Sequence, residues 1–240
     1  MYRNIRTYIK PEIRLAELIF ENPYLLLLLE HFGIDLEMHE KTVSEICLEN
    51  NISEHVFISF ANLYNGFPLS GIRGFEVSDI PSIIRFLGRS HSYFRYDKYP
   101  EIQDYLNKLK ETNPDAGIRL VNRFFNDYFV EVTDHLDYEE KIAFPYIFGL
   151  LNGVEIPADP AVARFSGKEF LDHHTDIESK LTDLKTLMIR HIPLKNDPAN
   201  RRKLLFSLIE LEFVLNIHSL IEESVLIPLV IELERGRNHG

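Results

Sequence analysis

One pattern occurs twice in this chain and constrains its fold more than any other feature. Two segments, beginning at His135 and at His218, both read His-x3-Glu-Glu-x4-Pro, and each lies in a mostly apolar stretch. Helical residues four positions apart lie on the same face, one turn apart. We therefore expect His135 and Glu139 to point the same way on one helix. His218 and Glu222 are expected to do so on another.

An imidazole and a carboxylate on one helix face are a common pair of metal ligands. A single pair is a weak indication, because His and Glu four residues apart also occur on solvated helix surfaces. Two pairs with the same flanking pattern are harder to explain as ordinary surface or core residues. The repeat therefore predicts a metal site built by two helices.

Composition excludes several functional classes. The formal net charge of -11 argues against a nucleic-acid partner, because phosphate binding needs a basic surface. The single cysteine, Cys47, rules out a disulfide framework and a cysteine-ligated cluster. The first residues lack the apolar segment of a secretion signal, and the longest uninterrupted apolar run, 24–29, is too short to span a membrane. We expect a soluble, cytoplasmic protein that binds neither nucleic acid nor membranes.

Hydrophobic periodicity predicts an all-α protein, and no stretch is typical of a strand. Four long helical stretches are predicted at about residues 78–96, 115–148, 166–192 and 200–234, with a shorter helix at 99–110 in the first crossover. Such a series favours an up-down-up-down four-helix bundle. The alternative is another all-α packing, such as two hairpins in separate domains.

The chain is predicted to have two parts. Residues 1–70 form a small helical N-terminal domain, and residues 77–236 form the bundle. The boundary falls in a segment with three Gly and one Pro, 65–77. We expect apolar residues of the first part, such as Leu25 and Phe32, to be exposed to packing on the bundle or on a second chain. A homodimer is therefore one expected state.

The remaining two long stretches offer further histidines. His91 lies in the first, and His173 and His174 lie in the third. His91 precedes His135 by 44 residues, and His174 precedes His218 by the same interval. Two stacked helical hairpins would give this repeat, and a metal pair inside a bundle needs ligands from all four helices.

These segments resemble the hemerythrin-like di-iron proteins, and among them the RIC type (repair of iron centres, ScdA-like). The resemblance rests on the two motifs, on His-Ser-Tyr followed by Tyr-Pro-Glu-Ile, and on His174 followed by Leu181 and Leu184. It covers about residues 78–232. Upstream, the segment Leu-Glu-His-Phe-Gly-Ile-Asp-Leu within residues 24–49 resembles the small N-terminal domain of RIC proteins.

The chain departs from that family at one point. RIC proteins normally carry a Cys-Cys pair after Gly-Ile-Asp, where this chain reads Leu36-Glu37-Met38-His39. Cys47 lies at a separate position and does not replace the pair. Functions that need the pair are therefore not implied by the resemblance.

The resemblance implies two non-haem iron ions (Fe²⁺/Fe³⁺) with an oxo or hydroxo bridge. The implied ligands are His91, His135, Glu139, His174, His218 and Glu222. The same donors also suit manganese or zinc. His174 fits the family pattern better than His173, because Leu181 follows it by seven residues.

Other polar residues are predicted to lie beside the ligands. Glu131, one turn before His135, and His173 are candidates to contact the centre without binding metal. Glu140 and Glu223 follow the motif carboxylates, and a regular helix turns them about 100° away. We expect those two to be solvated or salt-bridged.

The resemblance implies a di-iron protein of nitrosative and oxidative stress, acting in iron–sulfur cluster repair or in redox chemistry with NO or O2. Its expected partners are these small ligands and damaged iron–sulfur proteins. An alternative is a non-enzymatic sensor or carrier of O2, NO or iron. A third hypothesis, a metal-free scaffold, would leave several convergent ligands buried without compensation.

Overall fold

The computed structural model describes residues 6–37, 39–69, 71–113, 116–153, 162, 165–173, 177–192 and 196–238. Within these ranges the protein is all-helical, as the sequence predicts, and its only β-type pairing is an isolated bridge between Arg14 and Thr42.

Four short helices open the chain. They are α1 (Leu15–Glu21), α2 (Leu25–Phe32), α3 (Val43–Glu49) and α4 (Glu54–Tyr64). Local capping explains two of these starts. Thr42 and Glu45 form a reciprocal capping box at α3, and the Ser53 hydroxyl accepts a hydrogen bond from the Val56 amide at α4.

Longer helices follow a 3₁₀ turn at Val77–Asp79. They are α5 (Ile80–Tyr93), α6 (Tyr99–Thr112), α7 (Ala116–Tyr138), α8 (Phe144–Asn152), α9 (Gly167–His173), α10 (Ile177–Arg190), α11 (Pro198–Ile221) and α12 (Ile227–Asn238). Three pairs of these helices are joined without a break by π turns, namely π1 (Phe94–Lys98), π2 (Glu139–Ala143) and π3 (Glu222–Leu226).

Each π turn comes directly before a helix that carries a proline at its second residue. The turns open on Phe94, Glu139 and Glu222, each six residues before a Pro. In a regular helix, a proline ring clashes with the carbonyl four residues earlier and removes a hydrogen bond. The π turn, closed by a hydrogen bond across five residues, interrupts the regular ladder at that point. The motif prolines are therefore accommodated inside continuous helices.

The predicted break between the first long helix and a separate helix at 99–110 is wrong. The backbone stays helical from residue 80 to residue 112 through π1. Pro100 follows π1 here, as Pro145 follows π2 and Pro228 follows π3.

Helix packing forms a closed series of neighbours. Helix α6 contacts α7, α7 contacts α10, α10 contacts α11, and α11 contacts α6. Around the other end of these helices, α8 and α9 both contact α12, and α5 contacts α2.

The N-terminal helices share a hydrophobic core with the long helices. Leu25, Leu28 and Phe32 are buried, and the Phe32 ring lies 4.8 Å from the ring of Phe86 on α5. Of the two surfaces that we expected these apolar residues to pack on, the long helices or a second chain, the structure shows the first. The boundary between residues 1–70 and 77–236 stays a prediction.

Buried apolar residues form two clusters, and a short gap separates them on each continuous helix. Between residues 80 and 112 the first cluster ends at Leu87 and the second begins at Tyr93. The corresponding gaps lie between Leu136 and Ala143, and between Leu215 and Ile217. Polar residues of the duplicated motif lie in or beside these gaps.

One helical run among the described residues, Pro198–Arg237, is long and apolar enough to cross a membrane by length and composition alone. Half of its most apolar window is buried within the fold, and it contains the buried residues His218 and Glu222. A core helix of a soluble protein passes the same test, so this run is weak support for a membrane span.

Candidate metal centre

Five of the six predicted ligands converge on one buried place in the structure. His91 Nε2 lies 3.0 Å from Glu139 Oε2, and His218 Nε2 lies 3.6 Å from the same oxygen. These three residues, from α5, π2 and α11, form a buried group that could hold a metal ion.

A second group shares Glu139 with the first. His135 Nε2 lies 2.7 Å from Glu139 Oε1, and Glu222 completes the group. Glu222 Oε2 is also 3.3 Å from His218 Nε2, so the two groups are adjacent. The two oxygens of Glu139 face different histidines, which is the arrangement of a carboxylate that bridges two metal positions.

The donor atoms are removed from water. His91, Glu139 and Glu222 are fully buried, and His218 is 3 % exposed. Nε2 of His91, Nε2 of His218 and both oxygens of Glu139 approach one another without hydrogen-bond geometry to any described residue. Buried polar atoms are normally hydrogen-bonded, and leaving them without a partner is costly. A bound cation would compensate all of these atoms together.

His91 is oriented by the carboxylate of Glu140, which lies in π2. Its Nδ1 lies 2.8 Å from Oε1 of Glu140, and the carboxylate can only accept this hydrogen bond. Nδ1 therefore carries the proton, and Nε2 faces Glu139. A ligand histidine bound to a carboxylate in this way is a recurrent feature of metal sites.

His218 is oriented by a hydroxyl. The Ser90 hydroxyl donates its hydrogen to the Leu87 carbonyl oxygen at 2.7 Å, so it accepts from His218 Nδ1 at 2.8 Å. The Nε2 of His218 is thereby directed towards the two carboxylates. Ser90 and His91 are consecutive on α5, so this one helix both supplies a ligand and positions another.

The carboxylates control protonation of the centre. Burial alone would lower the pKa of His218, but the neighbouring Glu222 and Glu139 outweigh it and raise that pKa to about 10. The pKa of His91 is also raised, since Glu139 and Glu140 outweigh its burial. Burial would raise the pKa of Glu139, yet the three histidines around it hold that pKa well below its usual value. Without a metal, the carboxylates therefore favour the protonated form of both histidines.

Aromatic rings border the centre. The Phe144 ring stacks on His91 at 5.7 Å, and the Phe94 ring meets His218 edge-on at 5.8 Å. Phe94 opens π1 as Glu139 and Glu222 open the other two π turns. The first residue of π1 is thus apolar, whereas the first residue of π2 and of π3 is a glutamate.

Of the other predicted residues, the structure describes the side chain of Glu131 alone. His174 lies outside the described residues, and so does the side chain of His173 at the end of α9. The carboxylate of Glu131 is 54 % exposed and pairs with Lys180. The structure therefore places Glu131 at the surface rather than beside the ligands.

Two functional residues were missed from the sequence. Glu140 was expected to be solvated or salt-bridged, and it does form an ion pair, but with His91. We expected Glu140 to point away from the ligands because successive residues of a regular helix are turned by about 100°. That angle does not apply here, because π2 begins at Glu139. Ser90 had no signal of its own apart from its place before His91.

Cys47 takes no part in the centre. It is buried on α3, and burial raises the pKa of its thiol to about 12. A thiol with that pKa is almost entirely protonated at neutral pH and is a poor metal ligand.

No protein-family model matches this chain, and a search of curated proteins returns no significant match.

Proposed function

We propose that this protein is a hemerythrin-like four-helix bundle that holds two iron ions and acts in iron–sulfur cluster repair or in redox chemistry with NO or O2. The proposal rests on one observation: Glu139 belongs to both of the His/Glu groups that could hold a metal ion. Two overlapping groups joined by one carboxylate favour a metal pair over a single ion.

The bundle is supported by the closed series of contacts from α6 through α7, α10 and α11. Such bundles build di-metal sites in their core from side chains on facing helices. Two ligands of the proposed centre come from α7 and π2, two come from α11 and π3, and one comes from α5. His174 is proposed as the sixth, on the segment between α9 and α10.

Iron is the metal that the resemblance implies, and the mixed imidazole and carboxylate set suits it. When bound, an iron pair supplies reversible redox chemistry and a binding position for a small molecule. His91, His218 and Glu139 would hold one ion. His135, Glu139 and Glu222 would hold the other. Glu140 and Ser90 would keep two of the imidazoles in the ligating orientation.

Anaerobic titration of the reduced, iron-loaded protein with NO tests the proposed activity. We expect NO to be consumed beyond one equivalent per metal pair when an electron donor is supplied. The double variant His135→Ala/His218→Ala should consume none, and His191→Ala, an exposed histidine at the end of α10, should behave as wild type. Iron-loaded wild type that neither binds nor consumes NO or O2 would overturn the proposal.

A non-enzymatic carrier or sensor is the second candidate, favoured by the apolar rings of Phe94 and Phe144 beside the ligands. An apolar surround suits reversible binding of a small uncharged gas. Binding that saturates at one molecule per metal pair and reverses on degassing, with no turnover, would establish this function instead.

A cytoplasmic location is part of the proposal, as is the absence of nucleic-acid and membrane partners. The net charge of -11 supports the exclusion of nucleic acid. Damaged iron–sulfur proteins are the proposed macromolecular partners, and a homodimer is the proposed alternative to a monomer.

A further inference from the structure

A polar cleft lies between the N-terminal helices and α5, away from the proposed ligands. It is open to solvent, spans about 500 Å³ of free space, and is lined by residues of α2, of the turn between α3 and α4, and of α5. Two arginines, Arg85 and Arg89, line it, and no carboxylate residue does. Two cations and no acidic residue in its lining make this cleft a candidate site for an anion.

The donors in the cleft lie along one face of α5. Ser82, Arg85 and Arg89 are spaced three and four residues apart, so they lie along the same side of the helix. Within the described chain, the guanidinium of Arg85 and the hydroxyl of Ser82 make no hydrogen bond or ion pair. The side chain of Asn51, on the opposite wall, likewise makes none to the described residues. These groups are available to a ligand.

Arg89 is held in place by the end of α2. Its Nη1 lies 3.5 Å from the carbonyl oxygen of His31, near the negative end of that helix. Gly33, which ends α2 at a φ of +71°, leaves the space that the guanidinium occupies, since a Cβ there would overlap it. One contact uses a small part of the five donors of a guanidinium. The remaining donors are available to a ligand in the cleft.

We propose that this cleft binds a phosphate group, either as the free ion or as part of a small phosphorylated molecule. Planar guanidinium groups bind phosphate oxygens through paired, charge-assisted hydrogen bonds. Ser82 and Asn51 add neutral donors, and no acidic side chain in the lining repels the anion. The cleft is open to solvent, so it can admit a small phosphorylated molecule as well as the free ion.

The proposed phosphate site and the proposed metal centre share no residue. None of the cleft residues is a proposed metal ligand, and Arg89 comes two residues before His91 on the same helix. Metal content and phosphate binding can therefore be measured separately on the same protein, and either can fail without the other.

Isothermal titration of the full chain with inorganic phosphate and with adenosine monophosphate, at an ionic strength fixed by sodium chloride, tests the proposal. We expect saturable binding to the wild type. Binding should weaken at least tenfold in Arg85→Gln and in Arg89→Gln. It should be unchanged in Arg202→Gln, which removes an exposed arginine of α11 outside the cleft.

The two probes also distinguish the source of the phosphate. Equal affinity for both indicates the free ion, whereas at least tenfold tighter binding of the nucleotide indicates a phosphorylated small molecule. Circular dichroism of each variant shows whether it is folded. If neither probe binds in a saturable way, or if the folded Arg85→Gln and Arg89→Gln variants bind as wild type does, the cleft is not a phosphate site.

Discussion

At the scale of single residues, the neighbours of each imidazole decide which nitrogen can bind a metal. Glu140 fixes Nδ1–H of His91, and Ser90 fixes Nδ1–H of His218. Both Nε2 atoms are thereby directed to Glu139. The spacing of the motif was enough to predict that His135, His218 and their carboxylates share a site. It could not show which residues orient the rings, because those contacts join different helices.

Removing these neighbours should weaken metal binding without removing a ligand. We expect Glu140→Ala and Ser90→Ala each to lower metal affinity by about ten- to a hundredfold, the range typical of groups that orient ligand histidines. Competition with a chromophoric chelator measures the affinity. Asp127→Ala is the control, since Asp127 is an exposed carboxylate of α7 that pairs with Arg123 on its own helix. An equal loss in the control, or no loss in Glu140→Ala, would contradict this role.

Metal binding should release protons, because the carboxylates raise the pKa of His91 and raise that of His218 to about 10. At pH 7 a metal must displace the proton of His218, so its apparent affinity should increase with pH up to about 10. We expect about a tenfold gain per pH unit for each proton displaced. Calorimetry in buffers of different ionisation enthalpy counts the protons. Affinity that does not change with pH would count against this reading.

The metal-free protein should show the opposite dependence. A histidine whose pKa is higher in the folded state stabilises the fold fully below its unfolded pKa, and this contribution is lost as the pH rises through the folded value. For His218 that window extends from its ordinary value of 6.5 to about 10. The free energy of unfolding of the metal-free chain should therefore decrease over this interval, as urea titrations at several pH values would show. A contribution that grows over the same interval would contradict the assignment.

At the scale of helices, the motif encodes more than a pair of ligands. The proline that closes each motif follows a π turn whose first residue is Glu139 or Glu222. Sequence periodicity predicted the long helices well, because their apolar spacing is regular. It did not predict that the first long helix continues through π1, because apolar spacing alone does not reveal a π turn.

Replacing a motif proline should affect the metal centre. In Pro228→Ala the clash that favours π3 is removed, and the helix can return to regular pairing around Glu222. We expect metal affinity to fall about tenfold while the free energy of unfolding changes by about 1 kcal/mol or less. Pro100→Ala is the control, because its turn opens on Phe94 rather than on a carboxylate. The idea fails if both variants bind metal equally well.

At the scale of the whole molecule, the N-terminal helices and the long helices share one hydrophobic cluster. The sequence predicted the all-α class, because no stretch alternates as a strand does. It could not show that Phe32 packs on Phe86, since the two residues are far apart in the chain. Contacts of that kind depend on how helices meet, which local periodicity does not specify.

This shared cluster predicts that the chain unfolds as one unit. Phe32→Ala removes a ring packed against Phe57 and Phe86, and should lower the free energy of unfolding by about 3–5 kcal/mol. Far-ultraviolet circular dichroism during urea unfolding should show one transition, shifted as a whole. Leu48→Ala, at a side chain that is 83 % exposed, should leave the curve unchanged. Two transitions, with only the first one shifted, would show that the N-terminal helices fold separately.

The most direct test of the metal centre is elemental analysis of the chain purified without added metal, for wild type and for His135→Ala/His218→Ala. The proposed di-iron centre predicts about two iron ions per chain in the wild type and a loss of both in the double variant. His191→Ala should retain the wild-type content. Wild-type protein that contains no metal, or metal that the double variant keeps, would contradict the di-iron centre.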